Sequence, residues 1–161
     1  MNGRRSCALA LACLAGVAAA CTGGSSPHPA GPTAPVESTR CVVHTGALPG
    51  WARSGFTPSD QALPHVVGEH DKIVGVVFGY PLRSPARPGR ANKILWVPRS
   101  AAQHDPLKIK AALIGSSRHA SRQVDDGPGP SIIDMPAPGC WIFSLSWSGH
   151  TDQVAVPYDP K

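Results

Sequence analysis

Ser148, His150 and Asp152 are the residue types of a nucleophile, a base and the carboxylate that orients the base. On an extended chain alternate residues share a face, about 6.5–7 Å apart along the strand. A working triad needs hydrogen bonds of ~2.6–3.2 Å, usually between side chains brought together from separate elements. The stretch also spans a turn, so solvated turn residues are the better reading. His65, His70 and Asp71 lie close together, with His44 upstream. Imidazole and carboxylate would suit zinc or copper, but neither an H-x-x-x-H nor a C-x-x-C pair is present. No metal and no cofactor are expected.

Two other groups have binding chemistry. Trp51, Arg53 and Phe56 fall in LPGWARSGF, a segment punctuated by Gly and Pro with no strand alternation. Loops held by a rigid scaffold often bind, and aromatics are enriched at interface hot spots. Arg83, Arg87 and Arg90 belong to PLRSPARPGR, and no acid occurs between Asp71 and Asp105. Near a membrane such a loop would meet anionic head groups or wall polymers. Gly127-Pro128-Gly129-Pro130 is a stiff turn, because Pro lacks the N–H that a phosphate loop needs.

These groups must be positioned by a single domain, since 161 residues fit one. Residues 1–20 read as a leader: Arg4 and Arg5, then an apolar run too short to span a bilayer. The leader ends in Ala18-Ala19-Ala20-Cys21, which resembles a bacterial lipobox, with Ala18 where Leu is usual. Cys21 is therefore the expected lipidation site, holding the protein to the outer face of a cell membrane through two or more acyl chains. The Arg pair hints at twin-arginine export, without the rest of that motif. Removing residues 1–20 lowers the formal charge of +5 by two, to +3. So mild a charge gives no reason to invoke nucleic acid.

Residues 21–40 form a tether. Thr22 to Arg40 holds four Pro and three Gly and has no apolar periodicity, so it cannot offset its ordering entropy. Its 19 residues reach roughly 60 Å when extended. Residues 41–161 then make the folded domain. Its two cysteines, Cys41 and Cys140, are expected to form a disulfide outside the membrane.

Pro and Gly leave almost no room for a helix of ~10–14 residues. The uninterrupted runs are strand-sized and alternate. Val74, Val76, Phe78 and Tyr80 fall on one side of residues 73–80. Residues 93–97 are apolar on both sides. Leu107, Ile109, Ala111 and Leu113 oppose Lys108 and Lys110. Trp141, Phe143, Leu145 and Trp147 oppose Ser144 and Ser146, and Val154, Val156 and Tyr158 follow after a Gly-containing hairpin link. Seven or so short strands predict an all-β, antiparallel β-sandwich, immunoglobulin-like, with long loops.

The phrases Leu48-Pro49-Gly50-Trp51-Ala52-Arg53-Ser54-Gly55-Phe56 and Asn92-Lys93-Ile94-Leu95-Trp96-Val97 come in that order. They are followed by Pro138-Gly139-Cys140-Trp141 and by the hairpin from Ser146 to Asp152. Together they resemble a group of small secreted lipoproteins of high-GC Gram-positive bacteria. That resemblance covers most of 41–161. It implies secretion and a β-rich fold, and it carries over no catalytic residue. The expected role is an envelope binding or interaction module, with an envelope protein or wall polymer as partner. The alternatives are a metal-binding lipoprotein or a small cell-wall hydrolase.

Overall fold

The computed structural model describes residues 41–60, 62–100 and 104–161. The leader, the tether and Cys21 lie outside the described residues. Among the described residues two short 3-10 turns, Gly50–Ala52 and Pro58–Asp60, precede nine strands. The strands are β1 (His65–Val67), β2 (Ile73–Val77), β3 (Arg83–Ser84), β4 (Lys93–Pro98), β5 (Leu107–Leu113), β6 (His119–Val124), β7 (Pro130–Ile132), β8 (Gly139–Trp147) and β9 (His150–Pro160). Among the described residues no helix is long and apolar enough to cross a membrane.

The strands form two sheets. One has the order β1-β2-β4-β7 and is antiparallel throughout. The other has the order β3-β9-β8-β5-β6, with only β3–β9 parallel. The domain is therefore all-β and sandwich-like. One cluster joins Ile73, Ile94 and Trp96 of the first sheet to Ile109, Trp141, Phe143 and Val156 of the second. Trp96 and Phe143 meet across it, with ring centroids 6.3 Å apart.

Period-two burial is what positions these faces. In β5, Leu107, Ile109 and Ala111 are buried while Lys108 and Lys110 are exposed. In β8, Trp141, Phe143, Leu145 and Trp147 are buried. In β9, Asp152 joins Val154, Val156 and Tyr158 on the inner side. β8 and β9 are joined by Ser148 and Gly149, at φ 42° and 76°. Two left-handed residues make the primed turn whose twist suits a two-residue hairpin.

β2 differs from the expected pattern. It is buried on both faces and stops at Val77, so Phe78 and Tyr80 lie beyond it, exposed. The reason is a second apolar layer. Leu48, Ala52, Val74 and Val76 form a cluster on the outer face of the four-stranded sheet, with Trp51, Phe56, Leu63 and Leu95 packed against it. Leu48, Trp51, Ala52, Phe56 and Leu63 cover that face, and Phe78 is not among the residues packed there.

The expected disulfide is present between Cys41 and Cys140. Buried aromatic polar groups are mostly bonded, as burial demands. Trp96 Nε1 donates to Ser131 Oγ at 3.1 Å, Trp141 Nε1 to the Ala137 carbonyl at 3.0 Å, and Tyr158 Oη to the Ile133 carbonyl at 2.6 Å. Among the described residues Trp147 Nε1 is buried without a partner. Burial, reinforced by the nearby charge of Asp134, pushes the Tyr158 phenol far above its ordinary range. It therefore stays protonated and donates. Tyr158→Phe is expected to cost about 1–2 kcal/mol in urea unfolding, because it strips the Ile133 carbonyl of its donor.

Candidate functional site

Trp51 sits on the Gly50–Ala52 turn, above buried Leu48 and Ala52. Its Nε1 donates to Asp71 Oδ1 at 3.3 Å. Arg99 donates to Asp71 Oδ2 at 2.6 Å and places its guanidinium carbon 5.8 Å from the Trp51 ring. Arg53 folds back, its Nε donating to the Leu48 carbonyl at 2.7 Å. Phe56 is half-buried against the outer apolar layer. Trp51 and Phe56 thus hold the cover segment onto the sheet, while Arg53 braces the segment internally.

Arg83 aligns with Asp159 in the β3–β9 pair and donates through Nη1 to the Pro160 carbonyl at 2.6 Å. Arg87 and Arg90 face each other across a tight turn and are exposed. Arg90 Nη2 donates to the Tyr80 carbonyl at 2.5 Å. The Trp51 group lies by Asp71, at the Ile73 end of β2, whereas the arginine loop lies beyond Val77. The fold thus separates the two groups to opposite ends of one strand.

Asp152 bonds to His70 rather than to His150. Its Oδ1 accepts from the His70 backbone N–H at 3.0 Å, the His70 Nδ1 at 3.1 Å and the Gln153 backbone N–H at 2.8 Å. Its Oδ2 accepts from the Lys72 backbone N–H at 3.0 Å. An ionised carboxylate only accepts, so His70 Nδ1 carries the proton. Burial of Asp152 raises its pKa, but the three backbone donors and the His70 ring outweigh that and hold it below its ordinary value. Gly68 is packed so close that an added Cβ would lie 2.1 Å from Asp152 Oδ2. The carboxylate brackets the β1–β2 turn to β9, joining the two sheets. No local sequence signal marks this pair, whose members are 82 residues apart.

His150 lies against Trp147, ring centroids 5.8 Å apart. His65 is buried, its Nδ1 2.8 Å from the Leu63 carbonyl, and its ring lies 5.4 Å from that of His44. Among the described residues no group of three or more His, Cys, Asp or Glu is placed to hold a metal ion.

The outer face of the five-stranded sheet gathers polar side chains in register. One row across β6, β5, β8 and β9 is Gln123, Lys108, Ser146 and Thr151, and the next is Ser121, Lys110, Ser144 and Gln153. Two shallow depressions of about 360 and 330 Å³ lie here and share Ser146 and Thr151. The first is also bounded by Asp105, Lys108 and His150, and the second by His70 and Lys110. Neither lysine is ion-paired among the described residues. The face offers hydroxyls, two amides and two free ammonium groups. The alternation of Lys and Ser opposite apolar residues was readable in the sequence. The pairing of β8 with β9 was readable too, from their hairpin link, and their register is antiparallel; that β5 and β6 lie beside them was not.

Fold and face together define an all-β, sandwich-like domain with two shallow polar depressions on the outer face of one sheet. No protein-family model matches the chain, and no curated protein or solved structure matches it either.

Proposed function

We propose that the chain is an extracytoplasmic lipoprotein anchored through Cys21, whose immunoglobulin-like domain binds an envelope component. The leader pattern supports export. The disulfide accords with an oxidising compartment. The observation that carries the reading is the pair of adjoining shallow depressions across β5, β8 and β9, where Lys108 and Lys110 stand free among serine and threonine hydroxyls. Such a lining suits an anionic, hydroxyl-rich wall polymer, since ammonium groups attract its charge and hydroxyls exchange hydrogen bonds with it.

Thermal unfolding in the presence of soluble wall-polymer fragments tests this. A fragment at 100 times its Kd stabilises the folded state by ~2.7 kcal/mol, a midpoint rise of roughly 8–15 °C for a domain of this size. The shift is expected to vanish in Lys108→Glu/Lys110→Glu. A flat panel, or an unchanged shift in that variant, rejects this face as the binding site.

A second reading, a small cell-wall hydrolase, draws on the His70–Asp152 pair. A carboxylate bonded to an imidazole Nδ1 is the base half of a nucleophile-activating set. Release of wall fragments that is lost in His70→Ala would favour it. Binding that survives His70→Ala without turnover favours the first reading.

A further inference from the structure

The domain is polarised along its strands. Cys41, where the chain arrives from residue 40, is bonded to Cys140, and Cys140 aligns with Pro157 near the end of β9. Arg83 aligns with Asp159 at that end, and its backbone N–H donates to Asn92 Oδ1 at 2.9 Å. Asn92 leads into Lys93, which aligns with Ile132. The Phe78 N–H donates to the Lys93 carbonyl at 3.0 Å. One end of the sandwich therefore carries Cys41, the last residues of β9, the arginine loop and the row Phe78–Lys93–Ile132.

Two independent properties concentrate there. Val42, Phe78, Tyr80 and Ile132, at 48%, 47%, 41% and 61% exposure, are the exposed large apolar side chains among the described residues, and all four lie at this end. Val42 follows Cys41, and Tyr80 is held by Arg90. Lys93 Nζ stands 5.5 Å from the Phe78 ring centroid, so cation and aromatic project together. The charge is also uneven between the ends. Arg83, Arg87, Arg90, Lys93, Arg118 and Lys161 are at this end, against Asp134 and Asp159. The acids Glu69, Asp71, Asp105, Asp125 and Asp126 flank the turns at the other end, near the β8–β9 hairpin, where Lys72, Arg99 and Lys108 offset part of their charge and Arg99 is paired with Asp71.

We infer that the end of the domain bearing Cys41 is a docking face for an anionic lipid bilayer. Aromatic and aliphatic side chains ringed by Arg and Lys are the chemistry of the membrane interface. The rings sit at head-group level, and each cation is drawn by the negative leaflet. The end where acids outnumber cations then points away, so charge orients the domain as well as attracting it. The face is the one at which the chain from the proposed acylated Cys21 arrives, so docking needs no wrapping of the tether around the domain. The biological setting rests on the anchored-lipoprotein reading, but the contact itself belongs to the protein surface and is open to test without any acyl chain.

The test uses the chain from residue 21 onward with Cys21→Ser, in co-sedimentation with vesicles of phosphatidylglycerol and phosphatidylcholine or of phosphatidylcholine alone. Retention is expected only on the anionic vesicles, falling as salt shortens the reach of the surface charge. Each Lys or Arg near such a surface contributes roughly five-fold in affinity. Arg87→Glu/Arg90→Glu is therefore expected to weaken binding by about 25-fold or more. Phe78→Ser/Ile132→Ser is expected to remove the part of the binding that persists at high salt. These side chains are exposed, so an unchanged thermal midpoint verifies that the variants fold. No retention on anionic vesicles at low salt overturns the inference, as does retention that ignores the Arg87/Arg90 reversal. Equal binding to soluble poly(glycerol phosphate), indifferent to Phe78→Ser, also overturns it and makes the face a wall-polymer site. The mass of the protein recovered from membranes reports separately on Cys21. An unacylated Cys21 removes the anchor and leaves the vesicle result standing, and an acylated Cys21 with failed vesicle binding removes the docking face alone.

Discussion

Asp152→Ala is expected to lower the unfolding free energy by about 4 kcal/mol, and with it the thermal midpoint by roughly 12–20 °C. The substitution strips acceptors from the backbone N–H groups of His70, Lys72 and Gln153 and from the His70 ring. A hydrogen bond to a charged group contributes about 1.5–3 kcal/mol, and a donor left buried costs its desolvation. Water reaching the vacated space will re-satisfy some donors, which keeps the total below a simple multiple. Gly68→Ala is expected to destabilise in the wild-type protein, because its Cβ would meet the carboxylate at 2.1 Å. In Asp152→Ala it is expected to cost far less, and a double-mutant cycle measures that coupling. The pH dependence has a definite sign. The folded-state pKa of Asp152 lies below its ordinary value, so the stabilisation is complete above about pH 5 and is lost as pH falls through the folded pKa. Wild-type stability therefore declines in acid more steeply than that of Asp152→Ala. Parallel acid curves for the two proteins, or a loss under 1 kcal/mol, would show that the bracket contributes little.

Reducing the Cys41–Cys140 bond is the second large effect. The cysteines are 99 residues apart, and on the chain-entropy model a loop of about 100 residues is stabilised by roughly 4–5 kcal/mol. Urea unfolding with and without reductant is expected to show that loss, and Cys41→Ser/Cys140→Ser to reproduce it. The slope against urea is expected to steepen as well, because the reduced unfolded chain is more expanded. The segment around Cys41 is otherwise tied by the backbone pair between His44 and His65, 2.8 Å in each direction. Val43 also packs against the core, so reduction frees Cys41 and Val42 at the proposed docking face. An unfolding free energy unchanged by reductant would mean that the unfolded chain was already confined.

Much of the architecture was readable residue by residue. Lys108 and Lys110 set between Leu107, Ile109 and Ala111 define an inside and an outside, because a strand turns alternate side chains to opposite faces. The same holds for Trp141, Phe143, Leu145 and Trp147 against Ser144 and Ser146. The exception was β2, where Val74 and Val76 face an outer layer supplied by Leu48, Trp51, Ala52, Phe56 and Leu63. A strand covered on both sides reads as a plain apolar run, so nothing local told which face met the core or where the cover ended. Phe78 and Tyr80 continued the alternation in sequence and ended exposed because the cover stops short of them.

The candidate sites divide the same way. Residue types alone drew attention to Asp152 and His70, but in separate groups, one with Ser148 and His150 and the other with His65 and Asp71. Their pairing was decided by β9 passing beside the β1–β2 turn. Likewise the arginines of 83–90 were visible as a basic loop, while their meeting with Phe78, Ile132 and Cys41 at one end was decided by sheet order. Taken alone, the chain determined an all-β domain, the inward face of β5, β8 and β9, and the cysteine pair, all of which follow from local backbone geometry and residue chemistry. Only the tertiary structure decided which loops share an end, which carboxylate holds which turn, and how charge divides between the two ends. Those outcomes depend on strand neighbours tens of residues apart, and strand order has no period that a sequence can display.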